Sequence, residues 1–318
     1  TFGQHTMTLI YSDDLFLKHQ TGQHPECPAR IEAIHRRLKG SPLFEQLTHV
    51  PIVRAADADI TTVHSAGHLA KLREWSAAGG GRVEVDTVMS EASADVACWA
   101  AGTAVDAVKR VLAGEDKKAM CLVRPPGHHA VPEGPMGFCL LGNVAIAARA
   151  AIKRFGLSRV LIVDWDVHHG NGTQDVFYED EQVGFFSSHR FPFYPGTGRK
   201  IETGRGRGLG TTFNLPLEFG VTRKRFLDDF TAVLATAAEK IRPELVIISA
   251  GFDAHAEDPV GNLGLETEDY ETLTKAVMDV ANTHSDGRIV SVLEGGYNVE
   301  RLAECVELHL RTLASTGK

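Results

Sequence analysis

The stretch Val160-Leu161-Ile162-Val163-Asp164-Trp165-Asp166-Val167-His168-His169-Gly170-Asn171-Gly172 decides how this chain is read. Its first four residues are apolar and mostly β-branched, the composition of a strand buried on both faces. Acidic, imidazole and amide groups follow, closed by glycines. Strand alternation carried past Val163 sends Asp166 and His168 to the same side. One carboxylate and one imidazole leaving a strand end together are half of a catalytic zinc site. For an isolated Asp-x-His, a simple capping turn is the plainer reading, so the other half must come from elsewhere in the chain.

Working outward, apolar runs at 8–11, 119–123, 183–187, 212–215, 245–249 and 289–293 join 160–163 as expected strands. Helical patterns lie between them at 28–38, 92–112, 144–155, 223–241, 268–282 and 299–313. The fourth helix should stop before Pro243, because the residue ahead of a proline disfavours α conformation. Thr267 reads as the N-cap of the fifth, with Glu268 and Asp269 in its first turn. This alternation predicts an α/β fold: a mainly parallel sheet with helices on both faces. No repeat or long linker divides residues 1–318, which read as one domain. Polar clusters follow the strands at 124–129, 164–172, 187–189, 253–255 and 294–297, the edge where open parallel sheets place their sites.

Composition removes several classes of function. The 318 residues are 43% hydrophobic with a net charge of -8, enough for a substantial core and opposed to a general nucleic-acid binder. No apolar run approaches the roughly 20 residues of a membrane span, and residues 1–10 lack a signal-peptide layout. Cys27, Cys98, Cys121, Cys139 and Cys305 are scattered without a Cys-x-x-Cys pair. The expectation is a cytoplasmic protein with reduced, mostly buried thiols and neither a membrane nor a nucleic-acid partner. Gly204-Arg205-Gly206-Arg207-Gly208 is too short for an RNA-binding Arg-Gly segment and reads as a mobile surface loop.

Three more segments carry chemistry. Ser249-Ala250-Gly251-Phe252-Asp253 ends a buried strand with a carboxylate that would be costly unpaired. Added to Asp166 and His168, it makes a three-ligand set that leaves a tetrahedral ion one open position. Arg124-Pro125-Pro126-Gly127-His128-His129 presents adjacent histidines suited to proton transfer around a metal-bound water. Glu294-Gly295-Gly296-Tyr297 offers a phenol that stays protonated at neutral pH and donates to a developing oxyanion.

With His24-Pro25-Glu26 and Tyr194-Pro195-Gly196-Thr197-Gly198, these segments resemble the zinc-dependent histone deacetylase family, in its class II-like branch of bacterial histone-deacetylase-like amidohydrolases and acetylpolyamine amidohydrolases. The resemblance runs from about residue 11 to 313 with the motifs in order. It implies the arginase–deacetylase fold, with a sheet of about eight strands. The implied reaction is removal of acetyl from a lysine side chain, in peptides or proteins, or from another acetylated amine. The oligomeric state stays open.

Carried over residue by residue, the resemblance makes Asp166, His168 and Asp253 the ligands of one Zn2+. His128 and His129 become the acid–base pair, and Tyr297 the oxyanion donor. Asp164 and Asn171 are the partners of His128 and His129, Asn171 standing where class I members carry Asp. A carboxylate raises a histidine's pKa more than an amide does, so His128 should be the protonated helper and His129 the base. Gly137, Phe138 and Tyr194 would wall a tunnel, with Gly296 beside it, Arg30 by an inner cavity, and Asp86 and Val260 at the rim. One K+ would use Asp164, Asp166, His168, Ser187 and Ser188. A second would use main-chain oxygens near Phe177, Asp180, Val183 and Thr211.

Two rivals share the fold. A manganese ureohydrolase needs a second Asp two residues past the ligand, where this chain has His255. Polyamine specialists carry Glu in an Asp-Pro-Glu-Gly segment, where this chain reads Asp258-Pro259-Val260-Gly261. Acetylpolyamine hydrolysis is therefore the second reading. A non-catalytic acyl-lysine binder, which loss of a ligand or the tyrosine would favour, is the remote third.

Overall fold

Successive residues of the sheet strands face two different cores. Leu9, Tyr11, Cys121, Ile162, Ile247 and Val292 belong to one, and Ile10, Met120, Leu161, Val163, Ile248 and Leu293 to the other. A sheet apolar on both sides must be covered on both sides.

The computed structural model describes residues 8–315, so the first seven residues of the stretch read for a signal layout lie outside it. In chain order the elements are β1 (Leu9–Ser12), α1 (Ala29–Lys39), β2 (Thr48–Val50), α2 (Asp57–Ile60), α3 (Ala66–Ala77), β3 (Gly80–Arg82) and β4 (Val88–Ser90). Then come α4 (Ser93–Leu112), β5 (Lys118–Leu122), α5 (Asn143–Lys153), β6 (Val160–Asp164), α6 (Asn171–Phe177), β7 (Val183–Arg190) and β8 (Thr212–Leu217). The last are α7 (Arg223–Ile241), β9 (Leu245–Ala250), α8 (Asp269–His284), β10 (Ile289–Leu293) and α9 (Val299–Ala314).

Eight strands form one sheet in the order β2-β1-β5-β10-β9-β6-β7-β8, every pairing parallel, and β3 and β4 make a separate antiparallel pair. Helices α3, α4 and α5 bury apolar residues in the first core; α1, α7, α8 and α9 bury theirs in the second. This is the expected architecture.

Differences from the sequence reading have local causes. Edge strand β2 was not expected, because three residues with His49 in the middle give no apolar run. Strand β7 continues through residues 187–189, which were read as a loop. Strand β8 runs to Leu217 and tolerates Pro216 because it lies at the sheet edge. Helix α8 has Glu268 and not Thr267 at its N-cap position, the Thr267 hydroxyl lies 3.3 Å from His255 Nε2, and the Asp269 carboxylate accepts the Glu266 N–H at 2.8 Å. Segment 204–208 is a pinned turn: Gly206–Gly208 is 3-10 helical and Arg205 N–H donates to Tyr178 O at 2.7 Å. Among the described residues no helix is long and apolar enough to cross a membrane, and all five cysteines are unpaired.

Ile247 lies at the centre of β9, fully buried between β6 and β10. Ile247→Ala should cost about 2–5 kcal/mol. Urea unfolding should show a lower midpoint with an unchanged slope.

Candidate active site

Strands β5, β10, β9, β6 and β7 are neighbours, and each ends at the same sheet edge in a loop rich in chemistry. These loops carry residues 124–129, 294–297, 251–253, 164–171 and 191–194. Parallel strands thus bring together side chains far apart in sequence.

Asp166 and His168 do converge, though strand alternation is not the cause. Strand β6 stops at Asp164, and two side-chain turns then set the path. Asp164 Oδ1 accepts the Asp166 N–H at 3.1 Å, and Asp166 Oδ1 accepts the His168 N–H at 2.9 Å. Such i to i+2 bonds are the local chemistry that aspartate favours in turns. The intervening Trp165 and Val167 point into the second core.

His168 Nδ1 lies 3.0 Å from Asp166 Oδ1 and 3.1 Å from Asp253 Oδ2. The three residues offer ligand atoms within 4.8 Å of one another, and all are buried. The remaining carboxylate oxygens go to main-chain amides: Val167 N–H donates to Asp253 Oδ1 and Gly295 N–H to Asp166 Oδ2, both at 2.9 Å. Burial and the Asp166 charge raise the Asp253 carboxyl to about 7. Burial pulls the His168 imidazole down, but its bonds to Asp166 and Asp253 prevail and lift it to about 9. Two buried carboxylates and one imidazole form a donor set that fits a divalent cation. His255, the ureohydrolase discriminator, lies outside this set and accepts the Glu257 N–H instead.

The histidine partners are those expected. His128 Nδ1–H donates to Asp164 Oδ2 at 3.0 Å, and His129 Nδ1–H donates to Asn171 Oδ1 at 2.7 Å. The two rings lie 4.0 Å apart. Burial depresses His128, but the charges of Asp166 and Asp164 outweigh it and hold the ring well above its usual range. His129 falls well below, through burial and the charges of His128 and His168.

A cavity of about 150 Å³ opens over this floor, lined by Asp86, His129, Gly137, Phe138, His168, Phe193, Tyr194, Val260 and Tyr297. Phe138 stands edge-on to Tyr297 at 5.6 Å, and Phe193 stacks on His168 at 5.3 Å. Gly137, Phe138, Tyr194, Asp86 and Val260, which the resemblance assigned to a tunnel and its rim, all line this cavity. Phe193 was missed; its proximity to the Tyr194-Pro195-Gly196 motif was the available signal.

Arg30 and Gly296 do not line the cavity. Arg30 is fully buried and donates to Glu294 O at 2.5 Å, to Gly296 O at 2.6 Å and to Glu26 Oε1 at 3.1 Å. Its guanidinium also lies 5.1 Å from the Tyr297 ring centre. It thus clamps the tyrosine loop. Glu26 pairs with Arg124 as well, joining that clamp to the histidine loop. Three further supports were not legible. Glu294 Oε2 accepts the N–H groups of Gly127 at 2.6 Å and His128 at 3.1 Å. Asp258 binds the N–H groups of Val260 at 2.9 Å and Tyr297 at 2.6 Å. His24 Nε2–H donates to Asp86 O at 3.0 Å under the rim.

The expected potassium residues fall in two places. Asp164, Asp166, His168, Ser187 and Ser188 are all buried, and Ser188 Oγ has no hydrogen-bond partner. Phe177, Asp180, Val183 and Thr211 gather where α6 gives way to β7. There Asp180 N–H donates to Phe177 O at 3.0 Å and Thr211 Oγ–H to Asp180 O at 3.2 Å.

An all-parallel eight-stranded sheet bearing a carboxylate–imidazole cluster, paired histidines and a phenol at one edge defines a hydrolase of arginase–deacetylase architecture. A family model described as the histone deacetylase domain matches residues 24–313, and the chain belongs to that zinc-dependent family. It is 39% identical over 322 residues to histone deacetylase 14, chloroplastic, of Arabidopsis thaliana, covering 96% of this chain and 76% of that protein. It is 36% identical over 319 residues to a histone deacetylase-like amidohydrolase of Pseudomonas aeruginosa, covering 94% and 83%. The solved HDA15 HD domain superposes with a TM-score of 0.91 at 35% identity, covering 96% of this chain and 88% of that one.

Gly295 touches the cluster so closely that a Cβ there would press on both Asp253 Oδ2 and Asp166 Oδ2. Gly295→Ala should fold yet retain less than a stoichiometric metal ion after dialysis, as read by atomic emission.

Proposed function

We propose that residues 1–318 form one catalytic domain that hydrolyses the amide of N-acetyl-lysine side chains in peptides or proteins. The observation that carries this reading is the position of the Asp166–His168–Asp253 cluster. It lies at the floor of a narrow aromatic cavity also lined by His129 and Tyr297. Those three residues would hold one Zn2+, which supplies Lewis acidity toward a carbonyl and a water when bound. Asp164, Ser187 and Ser188, with Asp166 and His168, would hold a K+; the unpartnered Ser188 Oγ supports that assignment. Main-chain oxygens of Phe177, Asp180, Val183 and Thr211 would hold a second.

The chain's own groups divide the proton work. His129 gives its Nδ1–H to a neutral amide, which leaves Nε2 as a free base. It takes the water's proton and returns it to the departing amine. His128, charged beside Asp164, stays an electrostatic helper. Tyr297 donates to the oxyanion that develops on the acetyl carbonyl oxygen. Phe138, Phe193 and Tyr194 enclose the aliphatic stem, and Asp86 faces the substrate backbone at the rim.

Val260 lines the cavity where polyamine specialists carry a carboxylate, which favours acetyl-lysine. Acetylpolyamines are the second reading, supported by the acidic Glu84 and Asp86 pair beside the opening. The free thiols support a reducing, cytoplasmic setting.

A panel of acetyl-lysine peptides, acetylputrescine and acetylspermidine against zinc-loaded protein should give the highest kcat/KM for the peptides; a preference for polyamines would reverse the assignment. Tyr297→Phe should retain zinc while turnover falls about 100-fold, the usual cost of one oxyanion donor. His129→Ala should lose more turnover than His128→Ala, and the opposite order would reverse the two roles.

A further inference from the structure

Beside the floor of the cavity lies a second convergence of ligand groups that shares no residue with the first. His128, Cys139 and Glu294 offer an imidazole nitrogen, a thiol sulfur and a carboxylate oxygen within 4.8 Å of one another. The three side chains are 0–3% exposed. We propose that they form an inhibitory site for a borderline or soft divalent cation, zinc in excess or cadmium.

Three features argue for a ligand there. Glu294 is fully buried, and its Oε1 has no hydrogen-bond partner. A buried carboxylate oxygen left bare is costly, and a cation relieves that cost. Its other oxygen is tied to the Gly127 and His128 amides at 2.6 and 3.1 Å, so the carboxylate is fixed while one oxygen remains available. The Cys139 thiol donates to Gly137 O at 3.3 Å and lies against the His129 main chain, both weak thiol contacts.

The donors suit the cation class. Zinc bonds of about 2.0–2.3 Å to nitrogen, oxygen and sulfur place neighbouring ligands roughly 3.3–3.8 Å apart in a tetrahedron. The cluster needs to contract by only about 1 Å to reach that spacing. Its thiol selects soft ions over the hard cations that compete for oxygen sites. Entry is short, because Gly137 and His129, neighbours of Cys139 and His128, line the cavity.

Coordination takes the proton from the Cys139 thiol and from any His128 imidazolium, and both protons go to solvent. A metallated His128 is no longer a free imidazolium beside Asp164. The inhibition rests on the deacetylase reading, but the binding does not. The resident cluster contains no sulfur, so a metal–thiolate signal reports the second site alone.

The test adds cadmium in increments to protein carrying one equivalent of zinc, following thiolate-to-cadmium ultraviolet absorption and turnover together. The comparison is Cys139→Ser, whose hydroxyl still donates to Gly137 O. In the parent protein one further cadmium per chain should produce the absorption band while turnover falls about tenfold, a smaller loss than the roughly 100-fold of an acid–base group because His128 is the charged helper. Cys139→Ser should show no band and keep its turnover at the same cadmium concentration. A band that survives in Cys139→Ser belongs to another thiol, such as the half-buried Cys27, and overturns the proposal. Equal inhibition of both proteins means exchange at the resident cluster and overturns it too. If Cys139→Ser does not fold, Cys139→Ala serves with the same outcomes. A Cys139-dependent band in protein inert toward every acetylated substrate would sink the deacetylase reading and leave the metal site standing.

Discussion

Asp166 and Asp253, both fully buried, hold two carboxylates against one imidazole, and the rest of the site follows from that confinement. Like charges in such a place repel and resist ionisation. The protein eases the conflict by giving each aspartate amide donors from separate loops: Val167, His168 and Gly295. These bonds use some carboxylate lone pairs and direct the others toward His168. What remains is a concentration of negative charge shaped for a divalent ion.

The same logic extends outward. Glu294 fastens the main chain of the paired histidines, Arg30 fastens the tyrosine loop, and Glu26 joins Arg30 to Arg124. Burial works against the Glu26 charge, yet Arg124 and His19 hold its carboxyl well below the usual range. Buried ion pairs of this kind add little net stability, but removing one partner is severe. Their product here is position: the general-base loop and the oxyanion loop cannot shift independently.

The sequence made the chemistry more legible than its supports. Every strand with an apolar run was readable, because a sheet buried on both faces needs Val160–Asp164 and Leu245–Ala250 to be almost wholly apolar. Strand β2 was not, since edge pairing asks for only three residues and no hydrophobic signal. Asp166, His168 and Asp253 stood out because unpaired polar groups after buried strands demand a reason. The route that brings the first two together was misread: it depends on side-chain turns, whose bonds leave no periodic trace. Arg30 shows the complementary failure. It was expected beside an inner cavity, whereas its bonds run to main-chain carbonyls 264 and 266 residues away, partners that leave no trace in the sequence.

Those distant partners impose an order in time. Arg30 meets Glu294 and Gly296 across 264 and 266 residues. During synthesis it emerges on the order of tens of seconds before them. Glu26 and Arg124, only 98 residues apart, are both synthesised well before them. A nascent chain therefore owns its histidines long before its phenol is seated. The machinery closes only when the tail docks on the head, so each molecule becomes competent late and all at once.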